Sequence, residues 1–182
     1  VQGGVGYAYE FTGEVIRNFS MEERMTLCNL AVEGGARSGY INPDHVTFNY
    51  LKGKEKSPKD FERAVEYWKS IASEKDAKYD NVVEIDVSML EPMVTWGVNP
   101  EQGVSVTEPI PPLELFEDKA KEEAEDALLY MGLEEGVDIV GQKVDVVFIG
   151  SCTNGRLSDL EAVAKILKGK KVSVRTLVVP GS

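Results

Sequence analysis

Histidine and cysteine are nearly missing from this 182-residue sequence, which holds one histidine, His45, and two cysteines, Cys28 and Cys152. A lone histidine excludes multi-histidine zinc chemistry and any multi-histidine catalytic site built from this chain alone. Two widely separated cysteines make no disulfide framework and fit a reducing cytoplasm. No apolar run approaches the roughly 20 residues that a membrane span needs. The opening Val1-Gln2-Gly3-Gly4 has neither the basic nor the apolar region of a secretory signal. Basic residues are short as well. Twenty lysines and arginines against 31 acids leave a net charge of −11, the wrong sign for a chain that binds nucleic-acid phosphates.

Apolar residues are present in quantity, at 42%, enough for a packed core. The length allows one domain or two small ones. The closing Leu177-Val178-Val179-Pro180-Gly181-Ser182 runs straight out of a strand-like stretch, and both ends read as those of an internal fragment. Strands and helices alternate along the first half. Val5–Phe11 alternates with aromatics and predicts a strand. Ser20-Met21-Glu22-Glu23 is a capping box that opens a helix expected to run from Met21 to Glu33 and stop at Gly34-Gly35. Asn42-Pro43 caps a brief helix to about Leu51. Ser57-Pro58 starts another, in which Phe61, Ala64, Val65, Trp68, Ile71 and Ala72 share one face. Val82–Val87 reads as a strand.

Five of the eight prolines (Pro92, Pro100, Pro109, Pro111 and Pro112) then mark a connector over 91–115, because proline removes a backbone donor and fixes φ. Trp96 is its natural anchor. The expected domains are residues 1–90 and, with that connector, 91–182. An acidic helix from about Leu115 to Met131 carries a thin stripe of Ala120, Ala124, Ala127, Leu128 and Met131. Val144–Ile149 reads as a strand covered on both sides. A helix from Leu157 to Leu167 and a strand over Val172–Val179 complete a parallel crossover. The fold class is α/β, with two small three-layer domains and mostly parallel sheets.

Two features carry chemistry. Gly150-Ser151-Cys152-Thr153-Asn154-Gly155 lies between the buried strand and its helix, where open α/β sheets bind ligands. A cysteine beside a helix N-terminus suits a nucleophile or a metal ligand; the plainer alternative is a small residue in a tight turn. In the Met21–Glu33 helix, Glu22, Thr26, Asn29 and Glu33 form a polar seam between two apolar sides. Either the seam points at a polar site, which favours Asn29 and Glu33 as site residues, or it is a solvent-facing stripe. Cys28 lies on an apolar side and reads as packing, and His45 as a surface histidine.

Five separated segments stand out together: Ser20-Met21-Glu22-Glu23-Arg24-Met25-Thr26-Leu27-Cys28-Asn29, Thr47-Phe48-Asn49-Tyr50, Val65-Glu66-Tyr67-Trp68-Lys69, Val94-Thr95-Trp96-Gly97-Val98-Asn99-Pro100 and Phe148-Ile149-Gly150-Ser151-Cys152-Thr153-Asn154. In that order they resemble the isopropylmalate dehydratase branch of the aconitase superfamily. The resemblance implies an aconitase-like fold and a hydro-lyase that interconverts 2- and 3-isopropylmalate in leucine biosynthesis. A homoaconitate-type relative is the alternative within the superfamily. It also implies a [4Fe–4S] cluster, with Cys152 matching the first of three cysteine ligands and Ser151, Thr153 and Asn154 beside it in the cofactor-binding loop. Asn29 matches an asparagine next to the cluster and Glu33 an active-site glutamate. A small subunit is the implied partner, and it carries the serine that serves as base. The family's remaining two cysteines form a C-x-x-C pair downstream of Ser182, and its histidine motifs lie upstream of Val1. The expectation is therefore that this chain alone holds no cluster and is inactive. Outside that resemblance, two readings compete: a cluster-free module that cradles an anion in the 150–155 loop, and a thiol enzyme with Cys152 as nucleophile.

Overall fold

The computed structural model describes residues 3–181; Val1, Gln2 and Ser182, which framed the reading of the two ends, lie outside the described residues. The element order is β1 (Tyr9–Glu10), α1 (Glu14–Asn18), α2 (Met21–Leu30), β2 (Gly39–Tyr40), α3 (His45–Leu51), α4 (Phe61–Ser70), β3 (Met93–Thr95), β4 (Gly103–Ser105), a 3₁₀ turn (Leu113–Leu115), α5 (Asp118–Met131), β5 (Val146–Ile149), α6 (Leu157–Leu167) and β6 (Arg175–Val178). By contact these fall into two compact units. One joins the residues up to 82 with those from 148 onward, and the other is 83–147. This division follows contact, whereas the expected division at residue 90 follows chain order.

In the first unit, α2 begins as its sequence dictates. Ser20 accepts from the Glu23 N–H at 3.3 Å while Glu23 accepts from the Ser20 N–H at 2.7 Å, so two of the four orphan donors at the helix start are satisfied. The far end differs from the expectation. The helix stops at Leu30, not Glu33, and tightens into successive three-residue turns. Ala36 then closes it by donating to Ala31 O at 3.2 Å. The chain enters β2 there and pairs in parallel with β1, Tyr9 opposite Gly39 and Glu10 opposite Tyr40. The strand expected over Val5–Phe11 is only this short ladder, because Gly3–Gly6 turn instead of extending. α3 is capped by Asp44, whose carboxylate accepts from Val46 N at 2.9 Å, rather than by Asn42-Pro43. α4 starts at Phe61 behind the Asp60 cap, not at Ser57-Pro58. Its stripe packs in part: Trp68 stacks on Phe48 at 6.2 Å between centroids and meets Phe61 edge-on at 5.8 Å, but Ile71, expected on the same face, lies past the helix end and is exposed.

Buried under α2 is Arg24, a residue that composition alone assigns to solvent. Every part of its guanidinium is used. Nη1 and Nη2 form a fork on the two Asp44 oxygens at 2.7 and 2.8 Å, Nη2 also donates to Arg17 O, and Nε donates to Phe19 O. The fork ties α2 to the start of α3.

β5, α6 and β6 form the remaining strand–helix–strand piece. Val179 N donates to Ile149 O at 2.9 Å, so the carboxyl ends of the two strands meet, as in a parallel pair joined by a crossover. β5 is shorter than the expected 144–149 strand and is not covered on both faces, since Phe148 keeps 58% of its surface exposed. A two-stranded sheet has too few neighbours to bury both sides of either strand.

The second unit is built on Trp96. β3 and β4 pair antiparallel, and Trp96, just past β3, sits at 1% exposure among Val104, Ile110, Ala124, Ala127 and Leu128, with Phe116 edge-on at 6.1 Å. α5 supplies the alanines and Leu128 and is stopped by Gly132 in the left-handed region. Ala120 and Met131, expected on its buried stripe, are exposed. Gln102 fills the turn beside the tryptophan, its Oε1 accepting from Val98 N and its Nε2 donating to Glu123 O. The proline-rich stretch is thus part of a core. Val82–Val87, expected as a strand, has no ladder partner among the described residues; Val82, Val83 and Ile85 are exposed there. An alternating apolar run becomes a strand only against a neighbour that supplies hydrogen bonds.

Candidate functional site

The site lies within the first unit, where the loop between β5 and α6 approaches α2. Gly150 opens the loop at φ 138°, a conformation L side chains rarely adopt, and a Cβ there would fall 2.1 Å from Val179 O. Gly155 closes it, buried, its carbonyl accepting from Gly181 N at 2.9 Å. Between these points the loop is held by its own polar groups: Asn154 N donates to Ser151 Oγ at 2.8 Å. Cys152 sits at the exposed outer edge, with Thr153 Oγ1 3.8 Å from its sulfur.

The loop is tied to α2 through Thr26. Arg156 Nη1 donates to Thr26 Oγ1 at 3.0 Å and lies 3.4 Å from Glu22 O. The single proton of the Thr26 hydroxyl serves Glu22 O at 3.0 Å or Asn154 Oδ1 at 3.4 Å. The polar seam of α2 thus meets the cysteine loop through the side chain of one of its four expected members, Thr26; Glu22 takes part only through its main-chain carbonyl. Asn29 is exposed in the last turn of α2, and Glu33 lies beyond the helix end, exposed in the turn that follows; among the described residues no hydrogen bond joins either to the loop. Because the helix ends at Leu30, Glu33 is not a member of a helical seam.

Cys28 behaves as packing. It is half-buried on α2, and burial pushes its thiol above the ordinary range, which favours the neutral form. His45 is the exposed first residue of α3.

The start of α6 is not an open anion cradle. The Asp159 carboxylate accepts from Arg156 N at 2.9 Å and lies 3.8 Å from the guanidinium, so a negative group of the chain already occupies that end. This weighs against the anion-cradle reading of the 150–155 loop. Arg156 itself was outside the sequence reading. Its signal was its charge, since a cation at a helix start opposes the helix dipole and calls for a specific partner.

A cubane cluster needs three thiolates, and the described residues offer one exposed thiol and no group of three Cys, His, Asp or Glu side chains that could hold a metal ion. The donor set therefore fits one corner of a [4Fe–4S] cluster and does not fit a whole one. Among the described residues no helix is long and apolar enough to cross a membrane.

A mixed α/β chain with short parallel pairs and a cysteine loop at the carboxyl edge of one of them defines the class, and comparison with known proteins names it. The sequence pattern of the aconitase family (aconitate hydratase) matches residues 1–182, and the chain belongs to that family. It is 54% identical over 186 residues to the 3-isopropylmalate dehydratase large subunit of Crocosphaera subtropica, covering 100% of this chain and 40% of that protein. The large subunit of Microcystis aeruginosa is 54% identical over 184 residues and that of Synechococcus sp. (strain JA-2-3B'a(2-13)) 56% over 186, with the same shares covered. The chain thus spans about 40% of the length of the curated relatives it matches.

Proposed function

We propose that this chain is a segment of the large subunit of a [4Fe–4S]-dependent hydro-lyase, one that interconverts 2-isopropylmalate and 3-isopropylmalate in leucine biosynthesis. Its partner is a small subunit and its compartment the cytoplasm. The observation that carries the reading is the placement of Cys152. It is an exposed thiol at the carboxyl edge of the β5–β6 pair, on a loop hydrogen-bonded to α2. Identity of 53–56% to proteins named for this activity supports the substrate. When bound, the cluster supplies a Lewis-acidic iron for the substrate hydroxyl.

The chain's own residues then have separable tasks. Cys152 contributes one thiolate, and the Thr153 hydroxyl beside it is placed to donate to that sulfur. Ser151 and Asn154 shape the loop, the Ser151 hydroxyl oxygen accepting from the Asn154 main-chain N–H, and stand beside Cys152 as cofactor-binding residues. Asn29 offers amide donors from the last turn of α2, and Glu33, one turn on, offers a carboxylate that can accept a proton.

The test compares two preparations. A full-length subunit containing this segment, assembled with its small subunit and loaded with iron and sulfide, is expected to convert 2-isopropylmalate to 3-isopropylmalate. The 182-residue chain treated in the same way is expected to bind no stoichiometric cluster and to show no conversion. Failure of the assembled protein to convert isopropylmalate, or a stoichiometric cluster on the isolated chain, contradicts the reading.

A further inference from the structure

Arg156 stands where a helix disfavours positive charge, yet its side chain is largely withdrawn from solvent, at 19% exposure. Two groups compensate for that placement. Asp159 lies beside the guanidinium from within α6, and the Thr26 hydroxyl accepts from it across the gap to α2 at 3.0 Å. Thr26 also lies 3.4 Å from Asn154, the residue whose N–H closes the turn on Ser151 around Cys152. On its other side the loop is fixed by backbone alone, with Gly150 pressed against Val179 and Gly155 against Gly181. A threonine on a helix has few χ1 choices, so its hydroxyl is a fixed point of contact.

We propose that Arg156 and Thr26 are positioning residues, a latch that holds the Cys152 loop on α2 and so sets where the Cys152 sulfur points. The use of that sulfur rests on the iron-ligand reading above, but the latch is a property of this chain's own contacts. Without the latch, the sulfur is restrained only by the internal Ser151–Asn154 turn and by the backbone contacts at Gly150 and Gly155.

The test uses the 182-residue chain in a Cys28→Ala background with a nitroxide label on Cys152. Thr26→Val and Arg156→Met are each expected to shorten the label's rotational correlation time severalfold, and the double variant no further than either single one, because both remove the same contact. Thr26→Ser keeps the hydroxyl and is expected to keep the parent spectrum. If Arg156 only stabilises the start of α6, Thr26→Val leaves the label unchanged, which overturns the proposal. So does a Thr26→Ser chain as mobile as Thr26→Val. Circular dichroism of each variant, expected to match the parent, shows that the loop and not the fold has changed. No iron is present, so a mobile Thr26→Val chain supports the latch whatever the assembled protein does with isopropylmalate, and a failed conversion assay counts against the function alone.

Discussion

Trp96→Ala is expected to cost about 3–5 kcal/mol and to abolish the ordered core of the 83–147 unit. The ring is 1% exposed in a core shared with Val104, Ile110, Ala124, Ala127 and Leu128, with Phe116 edge-on and Ile110 wholly buried. A unit of this size has a small core, and its stability is correspondingly small, so one cavity of indole volume removes most of it. Hydrogen exchange in α5 and the β3–β4 ladder is the readout, with protection expected to fall to that of exposed loops. Trp96→Phe is expected to cost far less. The indole Nε1 is buried with no partner among the described residues, so phenylalanine loses contact area but also removes an unsatisfied donor. A Trp96→Ala chain with full protection in α5 would show that the core does not depend on the ring.

Asp44→Ala carries the second large effect, about 3 kcal/mol, because it strands a buried guanidinium. The Arg24 side chain is 3% exposed and that of Asp44 31%, so the two halves of the pair are not equivalent. Arg24→Met is expected to be the milder change: it leaves an apolar side chain of similar length in the buried position and an Asp44 that still caps α3 and reaches water. Acid titration separates the two further. The Arg24 hydrogen bonds hold the Asp44 carboxyl below its ordinary value of 3.8, opposed by burial and helped by the Val46 N–H. The unfolded chain therefore takes up this proton at a higher pH than the folded one. The pair's contribution is complete above the ordinary value and is lost as the pH falls below it through the lowered folded value. Denaturant melts at stepped pH are expected to show that acid-side loss in the parent and to show less of it in Arg24→Met.

Local signals in the sequence translated directly where they name their own partners. Ser20 and Glu23 cap each other three residues apart, and the α4 stripe places Trp68 against aromatics it can reach. The position of the cysteine loop was legible for the same reason, being set by the strand before it and the helix after it. What failed needed a distant partner. The Val82–Val87 run has strand composition, but strand state depends on a neighbour. α2 ends at Leu30 because the chain must turn into β2, a constraint that helical periodicity does not carry, and with it Glu33 leaves the seam. Arg24 falls three residues before Leu27 and seven before Ala31, on a buried side of α2, so its position spoke for burial while its charge spoke against it. Arg156 is the same conflict at a helix start, and both arginines are resolved by a specific oxygen elsewhere in the chain.

The most direct measurement is the iron content and cluster absorbance of the assembled full-length protein with each cysteine of this segment replaced in turn. Cys28→Ala is expected to retain a stoichiometric cluster, because that thiol is half-buried and kept neutral by burial. Cys152→Ala is expected to lose the intact cluster and its absorbance, having lost one of three thiolates. A Cys152→Ala protein that binds a full complement of cluster iron would contradict the account.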